Sequence, residues 1–459
     1  MNKREFLALG GAVPLMLAGC GGNGSGSAPV RLVNASVGYP GPLGFMDEST
    51  QITSGITYGK ASDYFNIEAG SVHLTLTTTV SGAETSATAA QLRTVNKDQR
   101  YSLVAYGIID QLRLALVAEL NKTPDAGTAS VNVLNTSADI GGVDVYLSAT
   151  KDLGISTKIA TNVVATSTSP AQSPFATDIQ PGSYYITVVG TGHTDDVRFQ
   201  TPAAVALTAL QVLTVVLTPG LSGTLANAIL LTQGSAGTAV SYANTTSRVR
   251  AVTAISGTTT TVVGATSGGT VVNVLSSNGS PQLSDYSVVG TGAAPVVKVG
   301  GVAVPVVMDS TDATTGITTQ VTASLLAGGD YTIMVYPDAT SGNPVAKLIE
   351  DDNTAPLTAA GVKFRLINLA TDKTDSQLSM TVNGLGVAKL VAYGGASKYI
   401  EVPNVPQGAD STIDVTNGAA TVIHRKQVVP LGNIFTDVVV SIPASGVGLD
   451  IFQAAAAAL

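Results

Sequence analysis

The sequence predicts an all-β protein: four tandem antiparallel β-sandwiches following a lipoprotein signal peptide. Three observations carry that expectation. Charged residues make up only 12% of the 459 residues, about half the usual 25%, and Thr, Ser, Val and 49 glycines fill the space. An opening phrase recurs four times at a domain-sized interval. Between its copies, apolar residues alternate with a period of two, the signature of half-buried strands.

The chain begins MNKREFLALGGAVPLMLAGC, with Lys3 and Arg4 ahead of an apolar run from Phe6 to Ala18. A positive start and a short apolar stretch make a secretory signal, too short to remain as a membrane-spanning helix. Its last four residues, Leu17-Ala18-Gly19-Cys20, resemble the lipobox of bacterial lipoproteins. That resemblance implies cleavage after residue 19, acylation of Cys20 with palmitate-type chains, and a membrane partner reached through the anchor. Two or three acyl chains hold where one would not. Gly21 follows the cysteine where a lipoprotein kept in the inner membrane usually has Asp, so the same resemblance implies the outer membrane, facing either the periplasm or the surface. Residues 20–29 read as a Gly/Ser tether. Cleavage would remove Lys3, Arg4 and Glu5 and leave a net charge of −9 in place of −8.

VRLVNAS (30–36), VNVLNTS (131–137), VRAVTAIS (249–256) and FRLINLA (364–370) are the four openings. Asn34, Asn135, Thr253 and Asn368 are equivalent in them, at steps of 101, 118 and 115 residues. That interval is a whole domain rather than a solenoid repeat. It divides the chain into units at 30–127, 128–245, 246–360 and 361–459.

Within the units, Val72, Leu74 and Leu76 alternate with His73, Thr75 and Thr77, and Val143, Val145 and Leu147 with Asp144 and Tyr146. Tyr184, Ile186 and Val188 alternate with Tyr185, Thr187 and Val189. Each unit ends on a pair of strands: YSLVAYG with LALVAEL, VLTVVLT with NAILLTQ, YTIMVYP with AKLIEDD, and FTDVVVSI with GLDIFQ. Six to eight such strands per hundred residues fit a sandwich. Residues 203–210 read as a helical turn or a loop. Short Pro-containing linkers predict units stacked end to end as a semi-rigid rod, with a bend at the third. The AAAAAL tail has no evident role.

ITYGKASDYFNIEAG (56–70), NTSADIGGVDVYL (135–147), LIEDDNTAPLTAAGVKFRLINLA (348–370) and LVAYGGASKYIEVP (390–403) resemble the bacterial envelope family catalogued as domain of unknown function 4397. The third unit departs from its pattern, having lost the VDVY core. The resemblance implies an immunoglobulin-like or transthyretin-like fold and a place in the cell envelope, and it brings no activity.

The composition excludes whole classes of function. Outside Lys3-Arg4 and Arg425-Lys426 no basic residues adjoin, so the basic face that nucleic acid needs is missing. One cysteine excludes an internal disulfide. No catalytic, cofactor or metal-site motif is present, so no catalytic residue, cofactor or metal is assigned. His73, His193 and His424 are the candidates for a Ser-His-Asp arrangement, each with a plainer reading on a strand face or in a loop. Glu350-Asp351-Asp352-Asn353, with Asp372 and Asp375 facing it, is the candidate calcium site, set against a solvated strand end. His193 with Asp195 and Asp196 is a weaker transition-metal candidate. Tyr39, Tyr58, Tyr64, Tyr101 and Tyr106 could form a sugar- or protein-binding face, or simply cap the core. The functional expectation is a non-catalytic envelope lipoprotein whose repeats bind protein or glycan or act as a spacer. The alternative is a carbohydrate-active enzyme or other hydrolase on the same scaffold.

Overall fold

The structure is a computed structural model. It describes residues 26–455 except positions 38, 40, 81–82, 108–110, 167, 235–238, 256–258, 268, 279–281, 291, 312–317, 359–360, 371–376, 407, 419, 429–434 and 442–449. The segment expected to be a signal peptide, Cys20, Asp372, Asp375 and the end of the tail therefore lie outside the described residues.

The all-β expectation holds. Eight sheets form four two-sheet units, each closed around its own apolar core. The closing strand pairs are as expected, for instance Tyr101–Tyr106 with Arg113–Ala118 and Asp330–Pro337 with Pro344–Asp351, both antiparallel. Val72, Leu74 and Leu76 enter the first core and Val143, Val145 and Leu147 the second. Residues 203–210 contain a short strand, Val205–Leu207, laid against Gly182–Gly190, in place of a helical turn. The third unit, despite its divergent sequence, builds both sheets; Val263 and Ala265 replace the missing VDVY in its core.

The opening strands explain why the phrase recurs. Ser27–Asn34, Ala129–Asn135, Thr246–Thr253 and Val362–Leu369 each run parallel to a strand from late in the same unit. The first sheet of every unit is therefore mixed. Ala28, Val30 and Leu32 point into the first core, yet Arg31 and Val33 on the opposite face are also 0% exposed. A strand covered on both sides reads as a nearly continuous apolar run rather than an alternation.

The Asn that ends three of the openings is a clamp. Its side-chain oxygen accepts the N–H two residues on, at Ser36, Ser137 or Ala370. Its Nδ2 donates across to the second sheet, to the carbonyls of Ile56, Val163 and Val391 at 2.9–3.0 Å. A serine fixes the other side of each opening strand. Ser62, Ser173, Ser284 and Ser397 accept the N–H of Leu32, Val133, Ala251 and Leu366 on their hydroxyls.

The units do not stack end to end. Val33, Val104 and Val117 of the first unit pack on Leu134, Val216, Ile229 and Leu231 of the second. Val252 and Met334 of the third pack on Ile367, Leu369 and Val439 of the fourth. Mixed sheet therefore meets mixed sheet, because their outer faces are apolar. Seven aliphatic side chains at about 1.5–3 kcal/mol each put the first seam's gross apolar contribution on the order of 10 kcal/mol. The second and third units are tied as well. Ser222 donates its N–H to the Gly328 carbonyl, accepts the Asn353 N–H on its own, and accepts the Asp330 N–H on its hydroxyl. Gly223 lies here with φ 106°, where a Cβ would come within 3 Å of the Asn353 backbone, so only glycine fits. That junction is bonded rather than the expected bend.

Candidate functional site

Two places concentrate polar chemistry: the seams between units, and a cavity where three segments meet.

At the first seam, Arg31 projects from the opening strand into buried space. Its Nη2 lies 2.9 Å from Glu119 Oε1, its Nε donates to Ser102 Oγ at 3.1 Å, and its Nη1 donates to the Thr232 carbonyl of the second unit. The guanidinium stacks on the Tyr64 ring, 4.9 Å from its centroid. The Tyr64 hydroxyl donates to both Glu119 oxygens, and burial pushes its pKa well up. The second unit answers with neutral groups. Thr214 donates to Asn132 Oδ1 at 2.8 Å, Gln233 Nε2 donates to Thr214, and Gln233 Oε1 accepts the Leu120 N–H.

The second seam is reciprocal. Arg365 of the fourth unit forks onto Asp437 of its own unit at 2.8 and 2.9 Å, and its Nη1 reaches Asp351 of the third unit at 2.7 Å. Arg250 of the third unit donates to Thr332 Oγ1 at 2.9 Å and crosses to Asp437 of the fourth. Asp351 also accepts the hydroxyls of Thr332 at 2.6 Å and Tyr286 at 2.5 Å. The Tyr286 ring lies between the Arg248 and Arg250 guanidinia, 4.6 Å from each, and Arg365 stacks on Tyr399. Burial opposes ionisation of Asp351, but the Arg365 and Arg250 charges, with the Thr332 and Tyr286 hydroxyls, outweigh it and hold the carboxyl below its usual range. The Tyr399 hydroxyl is pushed up to about 12, chiefly by burial.

This accounts for much of the acidic run at 350–353, three of whose four side chains are taken by neighbours, while Asp372 and Asp375, the other half of the candidate calcium site, lie outside the described residues. Strand alternation sends Asp351 and Asn353 inward and leaves Glu350 and Asp352 exposed. Asp351 is committed to arginines, Asp352 to Lys363 at 3.0 Å, and Asn353 Nδ2 to Asp330. Asp196 is likewise held by Arg198 at 2.7 Å, with Arg248 at 3.9 Å, so the His193 cluster is not assembled as a ligand set. Among the described residues, no group of three or more His, Cys, Asp or Glu could hold a metal.

The histidines stand in three different units; His73 meets Glu48 and His424 meets Asp414, both at the surface. Nor do the tyrosines share one face. Tyr58 bonds Thr218 across the first seam, Tyr64 belongs to the arginine cluster, Tyr39 and Tyr101 pack on the first core, and Tyr106 donates to the Thr168 carbonyl of the second unit.

The cavity, of about 170 Å³, is lined by Tyr106 and Arg113 of the first unit, Asp139 and Pro219 of the second, and Ala355 and Leu357 of the linker between the third and fourth. Asp139 Oδ1 accepts the Ala355 N–H at 2.6 Å, which draws that linker onto the second unit. Burial raises the Asp139 pKa, only partly offset by the Ala355 N–H and Ser137. The site combines an apolar wall with a carboxyl and a guanidinium, the usual make-up of a small-ligand or peptide pocket. Sequence reasoning did not single out Asp139 or Arg113, since three segments far apart in the chain build this site.

Residues 28–146 match the family model described as Domain of unknown function (DUF4397). The match runs from the first opening strand through the first unit and into the Val143–Ser148 strand of the second. No curated protein matches the chain.

Proposed function

We propose that this protein is a lipid-anchored component of the bacterial envelope, held in the outer membrane through Cys20. In this reading its four sandwiches form a non-catalytic body that presents binding surfaces to envelope protein or glycan. The observation that carries the reading is where the ionisable groups are placed. Arg31, Arg250, Arg365, Glu119, Asp351 and Asp437 are all at most 5% exposed and are paired with one another along the unit seams. Charge placed this way serves rigid assembly, and a rigid body suits presentation or spacing. The junction cavity, with Asp139 and Arg113 in its lining, is the place where such a body would take a small polar ligand or a peptide end. The Cys20 part rests on the lipobox-like LAGC and the tether that follows it.

Two experiments test the reading. Cells fed labelled palmitate should label the protein, and Cys20→Ser should abolish the label and release the chain from membranes; label that survives the substitution ends the anchor proposal. Capture of envelope material by the intact protein, compared with an Asp139→Ala, Arg113→Ala variant, tests the cavity. Equal capture by both would remove it from the reading.

A further inference from the structure

The second sheet of every unit ends on an equivalent edge strand: Thr50–Ile56, Ser156–Val163, Thr270–Asn278 and Leu385–Val391. An open edge invites another strand, and proteins block it with bulges, charges or distortion. Three of the four edges are blocked. Each carries a left-handed residue, Gly55 (φ 79°), Asn162 (φ 48°) or Leu390 (φ 52°), and each shows two register shifts against its neighbour. Each is pinned at its end by the Asn clamp. Two of them also carry a lysine, Lys158 and Lys389.

Thr270–Asn278 has lost these devices together. At nine residues it is the longest of the four. It has no residue of positive φ, no charged side chain and a single register shift, at Val263/Gly264. On either side of that shift lie two regular runs, 270–273 and 275–278. The clamp is absent because Thr253 stands where the other units have Asn; its hydroxyl accepts the Ile255 N–H and it has no amide to donate. Val271 on this strand is 60% exposed, and Val262 on the adjoining strand 38%.

We propose that Thr270–Asn278 is an association edge, through which two copies of this chain pair strand to strand in antiparallel register. The partner is argued from charge. Each copy carries a net charge of −8 and repels another over most approaches, so contact is favoured where no charge is brought against its like. An antiparallel self-pair of TVVNVLSSN sets Val, Ser, Asn and Leu against one another, with no ionised group on either side. The same pairing at Ser156–Val163 or Leu385–Val391 would bring a lysine from each copy to the shared edge, adding like charge there. Because the long-range term is repulsive, salt should tighten the dimer.

Sedimentation velocity on the chain from residue 21 onward, from micromolar to hundreds of micromolar, tests this. The expected result is a monomer–dimer equilibrium that strengthens with added salt. Val271→Lys, at an exposed position where folding is not at stake, should return the chain to monomer. Val240→Lys, at an exposed position on another strand (53%), should leave the dimer intact. The chain from residue 21 has no cysteine, so Asn273→Cys provides a second measurement, with disulfide-linked dimers forming under mild oxidation. A monomer at every concentration and salt, which would leave the edge to a strand from another protein, overturns the proposal. So does a dimer indifferent to Val271→Lys, or one lost equally with Val240→Lys.

Discussion

Asp437→Ala is the sharpest perturbation of the seam between the third and fourth units. Asp437 is 1% exposed and receives both arms of Arg365, at 2.8 and 2.9 Å, together with Arg250 of the neighbouring unit. Without it, Arg250 keeps a carboxylate only at 3.8 Å, in Asp351, and Arg365 keeps one carboxylate contact in place of three. Two guanidinia, each 2% exposed, are then left underpaired. Removing one partner of a buried ion pair costs about 3–5 kcal/mol. For a cooperative block of roughly 200 residues that lowers the melting temperature by on the order of 10 °C. The chain has no tryptophan, so hydrogen exchange read by mass spectrometry is the suitable probe. Peptides covering Asp330–Pro337 and Val362–Leu369 should lose protection, while those from Ser27–Asn34 and Ala129–Asn135 keep theirs. A companion variant, Arg250→Met, Arg365→Met, Asp351→Leu and Asp437→Leu together, should recover most of the loss, since well-packed apolar residues often replace a buried ion network at no cost. If Asp437→Ala costs less than about 1 kcal/mol, or loosens all four units equally, the seam is not what holds this pair.

The remaining predictions concern the clamps, the carboxyls and the surface. Asn135→Ala should destabilise by about 1–3 kcal/mol, because it leaves the buried Val163 and Gly141 carbonyls without their donor; Thr253→Ala should cost visibly less, and denaturant melts of the two variants compare them. Asp351, whose folded pKa is depressed, contributes stability that is present above the ordinary carboxyl range and lost as pH falls through the folded value. Exchange in the third and fourth units should therefore accelerate selectively below about pH 4. Asp139 has the opposite sign. Its folded pKa is raised, so its ionisation opposes folding as pH rises above the ordinary range. Asp139→Asn, which keeps an acceptor for the Ala355 N–H, should melt no lower than the parent at pH 7. Removing the surface pair Lys122–Asp125, both more than two-thirds exposed, should change the melt by less than about 0.5 kcal/mol.

The strands and their pairing were legible because period-two alternation is a local signal and each closing hairpin lies within a few residues of sequence. The seams were not. Arg250 and Asp437 are 187 residues apart, and a single sequence does not say which carboxylate finds which guanidinium. The openings did hold a hint in the runs VRLVN, VNVLN, VRAVT and FRLIN, where alternation fails because both faces are covered. An arginine inside such a run belongs to the covered face, although arginine ordinarily marks solvent. The acidic run EDDN was misleading for the complementary reason. Four polar residues in a row look like one site, but strand geometry divides them between two sides. The cavity had no sequence signal, because its lining comes from three units' loops and acquires its character only when they converge.

The parallel pairing of each opening strand sets the order in which the chain can fold. Arg31 waits 71 residues for Ser102, Asn132 and Arg250 each wait 82 for Thr214 and Thr332, and Arg365 waits 72 for Asp437. Until the late strand arrives, the first strand of a unit has only short flanking segments to pair with, and the loop it must close is long. Such non-local topologies fold slowly. A seam requires more again, since both faces that form it include a late strand. A chain emerging from its amino end can thus complete units singly but close its apolar seams only two units at a time, the second seam not before residue 441 is in place. Seam closure proceeds in steps of two, and a chain stopped within the fourth unit leaves the third with its apolar outer face, and Arg250 within it, open to water.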